Sequence, residues 1–347
     1  MKLIFFTLAF SLMLSASKQY PTIGQVVRLD NRLNALLPEG AQIEVLASGF
    51  EWAEGPVWVK AKGGEPGYLL FSDVPNNIIH RWDEKGGLQP FLKPSGYTGR
   101  GTYSREPGSN GLTIDAQGRL IACEHGDRRV SAMPLDKPGA QSGSGKITLA
   151  DRCVGKRFNS PNDVVAHRNG SYYFTDPPYG LPKQENDPTR ETPLFGVYHI
   201  APDGKVTVVI PDLVRPNGVA LSPDQNTLYV AQSDGQQPVI MAYAIQADGS
   251  VGKGRLIYNA SALMKQGFKG APDGLKVDEQ GNIWSTGPGG VLVIVPDPKG
   301  GPGTLLGRID PGEATANCAW GDDGKTLYMT ADMYLCRIRT NVRGAGW

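Results

Sequence analysis

The chain alternates apolar and polar residues in short runs that turn at Asp, Asn and Gly, and this pattern recurs six times. Each copy has a leading polar residue, an apolar run, a tight turn and a second apolar run. The steps between leading residues are 56, 52, 55, 56 and 44 residues, and these residues are Glu54, Asn110, Asn162, Asn217, Asp273 and Asn317. Two strands and a turn at this period are typical of propeller blades rather than of helical solenoids. We therefore predict an all-β, six-bladed β-propeller.

The N-terminal part of the predicted domain closes this ring. Residues 42–47 are predicted to form a strand that belongs to no repeat, whereas the last repeat contains only three strands. We expect the extra strand to complete the last blade and to hide both exposed sheet edges. Upstream, apolar residues recur at roughly helical spacing over residues 22–37 and stop before Pro38. This spacing predicts a short N-terminal helix that caps the ring.

Length and charge limit the classes of partner. The chain has 347 residues, with 35 basic and 34 acidic residues well mixed along it. One closed ring accounts for nearly all of this length, so residues 18–347 are predicted to form a single domain. A formal charge of +1 gives no electrostatic reason to bind nucleic acid or an anionic membrane. We expect a small-molecule partner, and a monomer or weak homo-oligomer.

Residues 1–17 have the pattern of a secretory signal peptide. Lys2 precedes an apolar run too short to span a bilayer, and the small residues Ser15, Ala16 and Ser17 follow it. The alternative is an ordinary buried first strand. With cleavage after Ser17, the chain is expected to be exported to a periplasm or secreted, without membrane association.

The cysteines have no CxxC spacing, so the sequence indicates neither a zinc site nor redox chemistry. No disulfide pairing is assigned for Cys123, Cys153, Cys318 and Cys336.

The leading residues are expected to lie around one mouth of the central channel. The strands of a blade run outward as a meander, so the entry to every first strand lies at the same end. Equal distances from each hairpin turn add a second set to this mouth, namely His125, Asp176, Ser233 and Asp332. The long connections 96–109, 177–194 and 262–271 also lie at this end, and they include Tyr179. We therefore predict the binding pocket at this mouth.

A cation would resolve the chemistry of this ring. Two carboxylates and four carboxamides buried together are costly unless they are neutralised, and no Lys or Arg leads a repeat. An all-oxygen set of donors favours a hard divalent ion, with calcium ahead of magnesium, manganese or zinc. The alternative is that each Asn or Asp only satisfies backbone groups where a loop enters a strand.

Four charged or titratable residues outside the ring have simpler alternatives. His125 is either a general acid or base or a hydrogen-bonded structural histidine, and the sequence leaves both open. Asp176 is expected to support the site or a turn rather than to bind the ion. Arg128 and Arg129 are expected to be solvated or paired with nearby acids.

Several segments resemble the SMP-30/gluconolactonase/LRE-like family over roughly residues 40–339. They include WAEGPVW, NSPNDVV, RPNGVALSPD and PDGLKVDEQGNIW. The resemblance implies a six-bladed propeller that holds a divalent metal in its channel and hydrolyses lactones. It implies that Asp273 is the base that activates water, and that the metal ligands are Glu54, Asn162, Asn217 and Asp273. The candidates left for contact with substrate or water are Asn110, Asn317, Asp176 and Tyr179.

The resulting hypothesis is a metal-dependent lactonase, in which the cation polarises the lactone carbonyl while water attacks. His125 is the second candidate for proton transfer, because its ordinary pKa lies near neutrality. Animal members of the family carry an Arg where Ser160 stands here, which puts a gluconate-type substrate in doubt. Two alternatives are an organophosphate or aryl-ester hydrolase at the same metal, and a non-catalytic ligand-binding propeller with a structural calcium.

Overall fold

Each repeat folds into an antiparallel meander, because its apolar runs alternate with turns that Asp, Asn and Gly permit. The computed structural model describes residues 18–136 and 142–347, and six such sheets form the blades of a β-propeller. The predicted six-bladed all-β fold is therefore confirmed. The predicted signal peptide, residues 1–17, lies outside the described residues.

The first three blades each contain four strands, ordered here from the channel outward. Blade 1 contains Ala53–Val59, Tyr68–Asp73, Ile78–Asp83 and Gly87–Leu92. Blade 2 contains Ser109–Ile114, Arg119–Glu124, Arg129–Pro134 and Ile147–Ala150. Blade 3 contains Val164–Ala166, Tyr172–Thr175, Val197–Ile200 and Val206–Ile210. A separate two-stranded hairpin between blades 2 and 3 pairs Arg152–Cys153 with Lys156–Arg157.

The last two blades each gain strands from the N-terminal segment. Blade 4 contains Pro216–Leu221, Thr227–Gln232, Val239–Ala244 and Arg255–Asn259. Blade 5 contains Leu275–Val277, Ile283–Gly287, Gly290–Val295, Thr304–Asp310 and then Gln25–Arg28. Blade 6 contains Thr315–Gly321, Thr326–Ala331, Tyr334–Arg339, and then Ile43–Ser48 and Thr22–Ile23.

The ring closes as the sequence predicts. Ile43–Ser48 pairs antiparallel with the third strand of blade 6, with Ala47 opposite Leu335. The N-terminal and C-terminal parts of the domain thus share one sheet, which leaves no unpaired strand where the chain enters or leaves the ring.

The predicted helix over residues 22–37 is wrong for most of its length. Only Leu33–Leu36 is helical, whereas Thr22–Ile23 and Gln25–Arg28 are strands on the outer edges of blades 6 and 5. The outer edges of blades 5 and 6 have unpaired backbone groups, and pairing with these edges outweighs the weak helical spacing of the segment. A second short helix covers Ser261–Lys265, and a 3₁₀ turn covers Gln184–Asn186. No helix in the described ranges is long and apolar enough to cross a membrane.

The hydrophobic core lies between neighbouring blades. Trp284 of blade 5 and Trp320 of blade 6 are buried edge to face, with ring centroids 5.2 Å apart. Similar apolar layers separate the other blades. The four cysteines are all free thiols, so packing and strand pairing hold the described domain together without a disulfide.

A glycine follows the leading residue in four of the six repeats, where the innermost strands come closest to one another. A Cβ on Gly111 would lie 2.4 Å from Asp163 Oδ1, and one on Gly274 would lie 2.0 Å from Asn317 Cγ. The Gly111 N–H donates to Asn162 O of the next blade at 2.7 Å. Glycine therefore lets each blade bond directly to its neighbour around the channel.

Gly111→Ala is expected to lower the free energy of unfolding by about 2 kcal/mol or more, because the added methyl overpacks a rigid contact between blades 2 and 3. Gly235→Ala is the matched control, since no atom lies within 4 Å of its added Cβ. Denaturant unfolding of both variants measures the difference. Equal stability of the two variants would contradict the close approach of the blades.

Burial of His199 predicts acid-dependent stability. His199 is 4 % exposed and packs against Tyr173 with the ring centroids 4.7 Å apart, and burial lowers its pKa below the ordinary 6.5. Below about pH 6.5 the unfolded chain binds a proton at His199 that the folded chain does not bind. The contribution of His199 to the free energy of unfolding is therefore fully present above pH 6.5 and is lost as the pH falls. His199→Gln should flatten the fall in unfolding free energy between about pH 6.5 and 5. Parallel pH profiles for wild type and variant would refute this.

Candidate active site

The leading residues stand at bulges in the innermost strands. Pairing registers shift at the start of the first strand in blades 1, 2, 4 and 6. A bulge inserts one unpaired residue and re-aims its side chain, which here turns polar side chains toward the channel. The register expected for blade 3 is confirmed by the pairing of Val164 with Phe174. In blades 2, 4 and 6 the observed register differs from the expected one by one to three residues.

The six leading residues form one ring, as the repeat predicts. Five of them are 2 to 5 % exposed, and Asp273 is half-buried. Three amides form a directed chain: Asn110 Nδ2 donates to Asn162 Oδ1 at 3.1 Å, and Asn162 Nδ2 donates to Asn217 Oδ1 at 2.6 Å. Asn217 Nδ2 then donates to Ser233 Oγ at 2.8 Å. Because every amide donates in the same direction, the oxygen of the first amide, Asn110 Oδ1, is left without a donor.

Buried carboxyls crowd the same mouth. Burial raises the pKa of Glu54 despite the hydrogen bond from the Gly55 N–H, and the charges of Asp163 and Glu106 raise it further. Burial likewise raises the pKa of Asp273 well above its usual range, and the Glu54 charge adds to this. Each negative charge in the group therefore increases the cost of the next one.

Asp163 and Glu106 are site residues that the repeat argument missed. Asp163 is 2 % exposed, and its two oxygens accept the N–H groups of Val164 and Val219 at 2.9 and 3.3 Å. A signal for Asp163 was available, since it occupies the position that is glycine in four other repeats. Glu106 carries no such signal, because it lies on the loop before blade 2 and only the fold brings it to the mouth.

The residues present fit a hard divalent cation. Asn110 Oδ1 and Asp273 Oδ1 are both buried without a hydrogen-bond donor. No lysine or arginine of the described ranges lies within ion-pair distance of Glu54, Asp163 or Asp273. These ranges contain no cluster of three or more His, Cys, Asp or Glu side chains arranged for a metal, so a cation here would depend on amide oxygens. Unpaired oxygen acceptors beside uncompensated carboxyls suit calcium.

His125 is fully buried beneath the loop that follows Asp176. Its Nε2 lies 3.2 Å from Asn162 Oδ1, its Nδ1 lies 3.2 Å from Glu106 O, and Gly180 packs on its Cβ. Burial lowers the pKa of His125 to about 4, so the ring is neutral at physiological pH. A neutral imidazole has one N–H, so it hydrogen-bonds one of these two oxygens at a time. This geometry suits a residue that positions Asn162.

Asp176 supports the segment that leads to Asn162. Its carboxyl is fully buried and accepts the Asn159 N–H and the Ser160 N–H, both at 2.8 Å. Asn159 Nδ2 donates to the same carboxyl at 3.1 Å. Burial raises the pKa of Asp176 to about 7, and the hydrogen bonds from Asn159 and Ser160 oppose that rise. Three donors occupy this carboxyl, so the structure places it behind the site.

Two loops cover the mouth. In the connection before blade 2, Asn77 Oδ1 accepts the N–H groups of Ser95, Gly96 and Tyr97 at 2.9 to 3.2 Å, which fixes the loop's base. In the connection within blade 3, burial raises the pKa of Tyr179 to about 12, and its hydroxyl has no hydrogen-bond partner. The charge of Asp273 also raises the pKa of Tyr179, so Tyr179 lies near the ring, where it was predicted.

The expectation for Arg128 is wrong, whereas Arg129 behaves as expected. Arg129 pairs with Glu124 at 2.6 Å. Arg128 is 3 % exposed and has no acidic partner in the described ranges; it donates to Phe158 O at 2.7 Å and to Thr189 O at 3.1 Å. The fold therefore uses the Arg128 guanidinium to join blade 2 to the covering loop, through carbonyl groups that the sequence alone does not bring near it.

Two features lie away from this ring. Asp332, expected at the mouth, is half-buried, and its charged neighbours are Glu313 and Lys269. A groove of about 560 Å³ lies at the opposite end of the propeller, and its lining includes Trp58 and Trp347. None of the predicted site residues lines this groove. The buried acids and unpaired oxygens therefore mark the mouth, rather than this groove, as the candidate site.

The comparisons with known proteins agree with this architecture. The chain is 39 % identical to the gluconolactonase of Zymomonas mobilis over 329 residues, covering 93 % of this chain and 88 % of that protein. It is 27 % identical to the pentonolactonase of Haloferax volcanii over 288 residues, which are 82 % of this chain and 83 % of that one.

Solved structures and a family model extend the similarity. The structure of a gluconolactonase from Xanthomonas campestris superposes with a TM-score of 0.76 at 30 % identity, covering 94 % of this chain and 99 % of that one. Residues 52–332 match the model described as the SMP-30/gluconolactonase/LRE-like region. These residues contain every leading residue of the ring. The chain therefore belongs to the SMP-30/gluconolactonase/LRE-like family.

Proposed function

We propose that this protein is a divalent-cation-dependent hydrolase that opens a lactone ring. The observation that carries the proposal is the set of unpaired oxygen acceptors, Asn110 Oδ1 and Asp273 Oδ1, beside the buried carboxyl of Glu54. Buried acids without counter-ions are costly, and a cation offsets that cost. The names of the relatives, gluconolactonase and pentonolactonase, support lactones as the substrate class.

Glu54, Asn162, Asn217 and Asp273 would hold the cation, which we propose is calcium. The two carboxylates balance a divalent charge, and carboxylate and amide oxygens are its usual ligands. Asn162 Oδ1 already accepts the Asn110 amide, so binding through this oxygen requires it to share or release that donor. Asn110, whose own Oδ1 is unpaired, is free to take a place beside the cation or the substrate.

Each side chain at the mouth has its own role in the proposed hydrolysis. When bound, the cation supplies a Lewis acid that favours negative charge on the lactone carbonyl oxygen. Asp273, whose buried Oδ1 is unpaired, accepts the proton of the attacking water in this proposal. His125 positions Asn162 through its ring rather than reaching the substrate. Tyr179, on the covering loop, contributes an unpaired hydroxyl for a substrate oxygen.

The first test is a pH-indicator assay of the purified chain on aldonolactones, aliphatic lactones and one phosphotriester. Each substrate is tested after chelation and again after calcium, magnesium, manganese or zinc is restored. We expect chelation to abolish lactone opening and calcium to restore it, because no lysine or arginine of the described ranges lies within ion-pair distance of the buried carboxyls. Hydrolysis of the phosphotriester alone would indicate the organophosphate alternative. If no substrate is hydrolysed under any condition but calcium raises the melting temperature, the protein is a non-catalytic propeller that binds the ion.

Asp273→Asn should lower kcat/KM on the best lactone at least about a hundredfold, because an amide cannot accept the proton of water. Circular dichroism and the melting temperature check that the fold is kept. Asp332→Asn is the matched control, since it removes a carboxylate at the same end of the propeller but outside the ring. Near-normal activity of Asp273→Asn would remove the assigned role of Asp273.

A further inference from the structure

Lys276 places an ammonium group against the ring, although no basic residue leads a repeat. It lies on the innermost strand of blade 5 and is half-buried. Its Nζ donates to Leu275 O at 3.1 Å and to Asn317 Oδ1, on the innermost strand of blade 6, at 3.2 Å. The lysine therefore bridges two blades through a leading residue of the ring.

These contacts fix which end of the Asn317 amide faces the acids. The Cys318 N–H also donates to Asn317 Oδ1, at 2.9 Å. A backbone N–H and an ammonium are both donors only, so the atom that they share is the oxygen, and its two lone pairs are used. Gly274 packs against the amide, where a Cβ would lie 2.0 Å from Asn317 Cγ. The amide is thus held from three sides, with its Nδ2 left to donate.

The Asn317 amide lies next to two of the buried acids. The Asn317 side chain lies beside the carboxyls of Glu54 and Asp163, and it lowers the pKa of each. The other oxygen contact of Glu54 is the Gly55 N–H, which donates to Oε2 at 3.0 Å. Asn317 therefore differs from Asn110, whose oxygen is unpaired: it presents hydrogens to the site, and its oxygen is not free to bind a cation.

We propose that Lys276 is a positioning residue that acts through Asn317: it holds the amide with Nδ2 facing Glu54, which keeps this carboxylate in place for the cation. The proposal rests on the cation site proposed above. It assigns Asn317 to orienting a ligand rather than to being one. Groups that orient metal ligands by hydrogen bonds typically change metal affinity by 10- to 100-fold when removed.

The sign of one measurement separates this role from an effect of charge. Lys276→Met removes a positive charge near the site, and loss of that repulsion alone would tighten the binding of a dication. Loss of positioning has the opposite effect, because Glu54 then loses the amide that orients it. We expect Lys276→Met to weaken calcium binding at least about tenfold in calorimetric titration of the chelated, purified full chain.

A double-mutant cycle tests whether Lys276 acts through Asn317. In an Asn317→Ala background, Lys276→Met should cause no further weakening, because no amide remains to be positioned. Lys276→Gln, which keeps a donor group, provides a second variant if Lys276→Met does not fold. Lys269→Met is the matched control: this lysine pairs with Glu313 at the surface, and its removal should leave the calcium dissociation constant unchanged.

The outcomes are distinct. Tighter calcium binding in Lys276→Met, or an equal weakening in both backgrounds, would overturn the positioning role and leave the cation site intact. An unchanged dissociation constant with a lower melting temperature would show that Lys276 only stabilises the fold, which also overturns the role. A wild-type chain that binds no divalent cation would overturn the proposed cation site and this role together.

Discussion

The structure depends on the close approach of six innermost strands to one axis. Each strand enters the channel with a polar residue, and in four repeats a glycine after it lets the backbone bond to the next blade. This convergence removes water from Glu54, Asp163 and Asp273 at once. Acids that would each ionise freely at a surface then raise one another's pKa, so the packing of the ring creates the demand for positive charge.

Hydrogen-bond direction divides the ring into two kinds of residue. From Asn110 to Asn217, each amide donates its hydrogen bond to the next amide along the ring. The oxygen of the first amide, Asn110 Oδ1, therefore has no donor. Asn317 has the opposite orientation, because two donors already occupy its oxygen. The same residue type therefore presents an acceptor in one blade and a donor in another, and its neighbours decide which.

The groups behind the ring make this arrangement rigid. Asp176 holds the segment before Asn162, His125 contacts the Asn162 amide, and Asn77 fixes the loop that carries Glu106. A lactone hydrolase needs such support, because a site gains most when its charged groups are already in place before the substrate binds.

By itself, the sequence determined the number of blades, the closing strand and the six leading residues, because an alternating pattern repeated at a constant period leaves few other folds. It did not determine the edge strands over residues 22–28, where unpaired sheet edges override a weak helical spacing. Only the tertiary structure brought Glu106 and Lys276 to the mouth. It also decided which atom of each amide faces the channel, since that choice depends on donors from neighbouring blades that no local pattern encodes.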